Sequence, residues 1–144
     1  TIHFNDTAGS MARDSVTNAS SVVRMITGKN LSDYDVHVNV VGGGNIDGPS
    51  AGAAITCAII SALTGKPLRQ DIAVTGEISL SGRIKPVGGI AEKAFGAHQG
   101  GMKAILIPKQ NALDMGSEYM HMKVIPVDTI QDILEHMLVR KNRK

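Results

Sequence analysis

Between Gly48 and Gly65 the chain carries no charged side chain, while Asp47 and Lys66 flank the run. A stretch like this has to be covered, yet it is a little short for a membrane span. It also contains Pro49, Ser50, Gly52, Thr56, Ser61 and Thr64, which suits a helix in a protein core better. Residues 49–64 are apolar all round, which predicts a helix buried on most sides. Pro49 fits the first helical position, where its missing N–H would have no partner anyway. Gly65 closes the helix and Pro67 follows it.

The rest of the chain must supply the walls around that helix. With 144 residues there is enough chain for one domain with a real core. Aromatic residues make up 3% and Trp is absent, so the core is aliphatic, Ala and Met, and a base-stacking surface for nucleic acid is disfavoured. The net charge of +2 comes from a C-terminal cluster, Arg140, Lys141, Arg143 and Lys144; without it the balance is 11 basic against 13 acidic residues. We therefore expect a domain over 1–139 and a solvated basic tail over 140–144. The lone cysteine, Cys57, excludes an internal disulfide framework and reads as a small core residue. The start at Thr1, on the strand-like TIHF, suggests a piece of a longer protein.

Apolar periodicity predicts an amphipathic helix over 10–27, with Ala12, Val16, Ala19, Val23 and Ile26 inward and Gly28 as its stop. YDVHVNVV alternates as a half-buried strand, Val36, Val38 and Val40 opposite His37 and Asn39. IAVTGEISL and RIKPV read as two strands meeting in a hairpin at Ser81-Gly82, with Pro86 at an edge or bulge. A short helix lies between glycines over 88–101, with Ile90, Ala91, Ala94, Phe95 and Ala97 as its apolar stripe. AILIP and KVIPV are two further strands. A closing helix over 128–139 buries Ile130, Ile133, Leu134, Met137 and Leu138, with Asp128 and Gln131 resembling a capping box. Helices and strands alternate through the second half, so some parallel pairing is expected.

The run Asp47-Gly48-Pro49-Ser50 has two readings. It is a good helix start, with Asp47 or Gly48 as cap and small residues that simply pack. It also suits a nucleophile: Ser50 would lie in a first turn whose backbone N–H groups are unpaired, ready to stabilise an oxyanion, and Gly48 leaves room for a carbonyl. Taken alone, the stretch favours the first reading. A serine nucleophile needs a base. His37, on a strand ending near the Ser50 loop, is one candidate. Lys93 is the other: it falls at the margin of its helix's small-residue stripe, beside Ile90 and Ala97, with Glu92, Gly96 and Gln99 opposite. Partial loss of hydration there favours a neutral amine, although a snorkelling surface lysine is the commoner case. Metal-ligand spacing is absent, and VVGGGN lacks both the dinucleotide fingerprint and the P-loop ending.

DGPSAG at 47–52, TGEISLSGRIKPVGGIAEK at 75–93 and AILIPKQN at 104–111 resemble the peptidase domain of the Lon family of ATP-dependent proteases. GSMARDSVTNASSVVR at 9–24 is similar to that family's first helix, and the likeness covers nearly the whole chain. The short VVGGGNI loop looks more like the LonB-type members. The resemblance implies an α+β fold with mixed sheets and a catalytic serine at a helix N-terminus. It implies Ser50 as nucleophile and Lys93 as general base in a Ser–Lys dyad. Thr75 would orient the lysine, and the backbone N–H groups of Gly48 and Ser50 would form the oxyanion hole. Asp47 matches an acidic residue that can pair with the lysine in an inactive arrangement.

By the same resemblance, the chain would be the proteolytic domain of a cytoplasmic enzyme acting on unfolded or damaged proteins. Family members assemble as hexameric rings. The domain itself would need no metal or cofactor, ATP and Mg belonging to an ATPase module outside this chain. The family's strands before the first helix are represented at most by TIHFND, and its H-V-H pattern is here His37, Val38, Asn39. The competing class is a silent Lon-like module for ring assembly or partner binding; such modules typically lack the serine and lysine, and both are retained here. No membrane contact is evident, and the body has no basic excess for nucleic acid.

Overall fold

A computed structural model describes residues 2–4, 9–38, 49–114 and 122–139. At its centre is a strand with no exposed residue, β6 (Ala104–Pro108). It is flanked in parallel by β3 (Ile72–Val74) and β7 (Lys123–Val127), in the order β3-β6-β7. Alternate β6 side chains point to opposite faces of the sheet. Ala104 and Leu106 join one core cluster, with α1 (Ser10–Thr27), α2 (Gly52–Thr64) and α4 (Ile130–Met137). Ile105 and Ile107 join a second, against α3 (Ile90–Gln99). A sheet covered on both faces explains why AILIP is apolar without alternation. The α+β architecture is completed by a parallel pair, β1 (Ile2–Phe4) with β2 (Val36–Val38), and an antiparallel pair, β4 (Glu77–Ile78) with β5 (Ile84–Lys85).

The helix expected over 10–27 is found, with Val16, Ala19 and Val23 buried as read and Val22 buried as well. Gly28 ends it in the left-handed conformation, its N–H donating to the Arg24 carbonyl at 2.8 Å. Cys57 is a core residue, and burial pushes its thiol up to about 12.

Several expectations need correction. The α-helix expected from Pro49 starts at Gly52, because Pro49–Ala51 wind more tightly as a 3-10 turn. It is also less covered than its composition suggests. Gly52, Ala53, Thr56, Cys57 and Ile60 are buried, but Ala58 and Ala62 are exposed along an open apolar groove beside β2. The strand read as IAVTGEISL breaks at Thr75-Gly76 into β3 and β4, because Gly76 turns the chain from one sheet to the other. In α3, Phe95 is 53% exposed and Ala91 points outward, so the inward stripe narrows to Ile90, Ala94 and part of Ala97. The capping box of α4 is one residue later than read: Thr129 Oγ1 accepts from the Asp132 N–H at 3.2 Å, and Asp132 Oδ2 accepts from the Thr129 N–H at 3.0 Å. Residue 40 of the second strand, the VVGGGNI loop, Asp47, Gly48, His121 and the tail at 140–144 lie outside the described residues.

Candidate active site

Among the described residues, the turn that carries Ser50 is held by backbone bonds. The Gly76 N–H donates to the Ser50 carbonyl at 3.0 Å, and the Ala53 N–H donates to the Gly76 carbonyl at 3.1 Å. This pair pins the entrance of α2 to the corner after β3. Next to that corner, the Thr75 N–H donates to the Leu106 carbonyl at 3.1 Å, extending the β3–β6 ladder by one residue. The position of Ser50 is therefore referenced to the central sheet.

Close approach at this junction requires glycine. A Cβ at Gly52 would lie 2.9 Å from Ile78 Cγ2 and 3.2 Å from the Ile78 backbone nitrogen. Backbone does not yield as a flexible side chain does, so the first turn of α2 can lie on β4 only without a side chain there. Of the small residues after Ser50, Gly52 and Ala53 are buried packing, whereas Ala51 and Ala54 face an open cavity.

That cavity, of about 420 Å³, brings Ser50, Thr75 and Lys93 together. Ser50 and Lys93 are half-buried and Thr75 is buried. On α3 and its C-terminal cap, Lys93, Gly96, Ala97 and Gly100 all line it. Their spacing of i, i+3, i+4 and i+7 is one helical stripe, so Gly96, read as lying opposite the apolar stripe, shares the cavity wall with the lysine. Met102 and Ile105 close the apolar end. Lys93 is the one charged side chain among the described lining residues. No hydrogen bond joins the side chains of Ser50, Thr75 and Lys93 to one another among the described residues; free enzymes often tighten such contacts only around substrate. The lysine's own backbone is anchored, its N–H donating to the Gly89 carbonyl at 3.0 Å across the first turn of α3.

His37 is not part of this site. Its exposed ring stacks on that of His3 from the neighbouring strand, with centroids 4.6 Å apart, and it lines the groove on the β2 side of α2. No cluster of three or more His, Cys, Asp or Glu capable of holding a metal occurs among the described residues. Sequence reasoning missed the cavity walls on Ala54, Gly96 and Met102, whose types carry no chemical signature. It also gave no role to Asn111, which stands just after the end of β6 in the IPKQN run.

A helix-terminal serine and a lysine facing one cavity are an arrangement suited to acyl transfer. Residues 2–140 match the family described as Lon protease (S16) C-terminal proteolytic domain. The chain belongs to this family of protease domains. It is 40% identical over 140 residues to the Archaeal Lon protease of Archaeoglobus fulgidus, a match covering 92% of this chain and 22% of that protein. It is 43% identical over 130 residues to Lon protease 2 of Bacillus subtilis, covering 90% of this chain and 23% of that protein. To the Lon protease of Brucella suis it is 41% identical over 140 residues, covering 90% and 17%. The chain thus spans about a fifth of the length of these relatives. Among the described residues, no helix is long and apolar enough to cross a membrane.

Proposed function

We propose that the chain hydrolyses peptide bonds as a serine endopeptidase, with Ser50 as nucleophile and Lys93 as general base and acid. The observation that carries this reading is the shared cavity, where Ser50, Thr75 and Lys93 are the hydroxyl and amine groups on otherwise apolar walls. Ser50 Oγ attacks the peptide carbonyl carbon while the uncharged Lys93 amine takes its proton. The tetrahedral oxyanion is held by backbone N–H groups at the start of the Ser50 turn, Gly48 and Ser50 being the assigned donors. Collapse expels the amine of the leaving segment, which receives the proton from Lys93. Water, deprotonated by the same lysine, then hydrolyses the acyl-enzyme. Thr75 orients the lysine through its hydroxyl, and Asp47 restrains it when the site is at rest.

In the longer protein, this activity is coupled to an ATPase module that uses ATP and Mg and feeds unfolded or damaged proteins to a ring of six copies, in the cytoplasm. The domain needs no cofactor of its own. Support comes from the family membership together with the retained serine and lysine. The test is cleavage of an unstructured protein by the full-length protein: Ser50→Ala and Lys93→Ala should each abolish it while leaving the folded state intact by circular dichroism. Hydrolysis persisting in either variant refutes the dyad. The pH–rate curve should also rise as the lysine loses its proton, and a rate unchanged well below neutral pH argues against a lysine base.

A further inference from the structure

Asn111 is 5% exposed, and both ends of its amide are hydrogen-bonded to one residue. Its Oδ1 accepts from the Val87 N–H at 2.9 Å, and its Nδ2 donates to the Val87 carbonyl at 2.9 Å. Only one orientation of the amide satisfies both partners. The side chain therefore acts as the neighbouring strand that Val87 lacks, since β5 ends at Lys85 and Pro86 has no N–H to donate.

Val87 is where the chain turns toward the lysine. Beyond it come Gly88, where an added Cβ would meet nothing within 4 Å, and Gly89, in the left-handed conformation at φ +66°. Two glycines define no direction by themselves. α3 begins at Ile90, and the Gly89 carbonyl receives the N–H of Lys93. Among the described residues, the two bonds to Asn111 are the hydrogen bonds that tie residues 86–88 to the rest of the molecule. The side chain of Val87 packs against the cluster formed by Ile90, Ala94, Ile105, Ile107 and Met122, so an apolar anchor accompanies the amide bonds.

We infer that Asn111 is a positioning residue for the proposed general base. By fixing Val87 to the 3-10 segment Lys109–Asp114 that follows β6, it sets where α3 starts, and so where Lys93 presents its amine in the cavity that Ser50 and Thr75 share. The inference rests on the dyad reading. It predicts that the amide governs the catalytic step and not simply the stability of the fold, because the cavity's other walls come from the Ser50 turn, α2, β3, Thr75, Met102 and Ile105.

The experiment compares Asn111→Ala and Asn111→Asp with the parent in the full-length protein, measuring kcat, KM and the pH dependence of kcat on an unstructured protein substrate. Asn111→Asp keeps the size and the acceptor for the Val87 N–H but loses the donor to its carbonyl, and it decides the matter if Asn111→Ala does not fold. Ile133→Val, in the opposite core cluster, controls for mild destabilisation. The expected result is a kcat lower by about ten- to hundred-fold, the range that an ångström of misplacement brings, with KM nearly unchanged and the rising limb of the pH profile displaced. Ile133→Val should lower the melting midpoint with kcat and pH profile as in the parent. Lys93→Ala is run alongside. If it is inactive while the Asn111 variants keep the parental kcat and pH profile, the positioning role is overturned and the dyad stands. If Lys93→Ala is active, the dyad falls and this inference falls with it.

Discussion

Replacing Gly76 by alanine should damage the junction between the Ser50 turn and the sheet, and the damage can be sized. An ideal Cβ there would stand 2.5 Å from Ile84 Cγ2, and 3.6 Å from both Ala53 Cβ and Pro108 Cγ. Carbon atoms settle at about 3.5–4.0 Å, so the overlap with Ile84 is roughly 1 Å. Ile84 is 5% exposed and packed in the main core cluster, so it has no solvent to swing into. Overpacking of this kind costs ~1–3 kcal/mol. The backbone at φ +157° adds ~1–3 kcal/mol for a residue with a side chain. Reduced freedom of the unfolded chain offsets ~0.4–1 kcal/mol. The net loss is ~1–6 kcal/mol, and at ~3 °C per kcal/mol the midpoint should fall by ~3–18 °C in calorimetry. Ile84→Ala removes the clashing Cγ2. In that background Gly76→Ala should cost only its backbone part, a coupling of ~1–3 kcal/mol in the double-mutant cycle. An unchanged midpoint, or the same cost in both backgrounds, refutes the packing argument. Activity should fall with stability, because the same corner carries Thr75 and the Ser50 carbonyl bond.

Two shifted groups, Cys57 and Asp132, give further outcomes. Cys57 is 1% exposed with its thiol at about 12, so the native protein should resist alkylation at pH 8 and react fully in denaturant; stoichiometric labelling of the folded state refutes its burial. Since the unfolded thiol ionises near ~8.5, this group favours the folded state fully below that pH, and stability should decline above it by up to ~1.4 kcal/mol per pH unit. Asp132 has the opposite sign. The backbone N–H groups of Asp128, at 2.9 Å, and Thr129, at 3.0 Å, hold its carboxyl below the ordinary range against a smaller opposing effect of burial. Its contribution is present above the usual carboxyl range and lost as pH falls through the lowered value. Asp132→Asn should cost ~0.3–1 kcal/mol at pH 7 in urea unfolding, and the gap to the parent should close in acid; parallel curves at all pH values refute it.

Local chemistry was legible in the residues themselves. The 3.6 period over 10–27 found α1 at its true bounds, because a helix against a core must repeat its apolar face. The apolar AILIP signalled a strand covered on both sides, and Gly28 and Gly65 marked helix ends that need the left-handed conformation. The residue types at 50, 75 and 93 were readable because the DGPSAG and GG-x-x-EK settings are specific. Phe95 and Ala91 were misread because a short helix packed on one strand buries only part of its apolar arc. The break at Gly76 was missed because the turn there leads into a different sheet and its N–H bonds to Ser50, 26 positions away, which no local pattern signals.

By itself, then, the sequence determined which segments are helix and strand and which side chains offer a hydroxyl and an amine. Tertiary structure decided that those groups face one cavity, that Gly96 joins the lysine's wall, that His37 opens to a different groove, and that a buried asparagine does the work of a missing strand. Propensity and period act between near neighbours in the chain. The site depends on backbone bonds and close contacts between α2, the corner after β3 and the start of α3, and those exist only once the sheet has brought distant segments together.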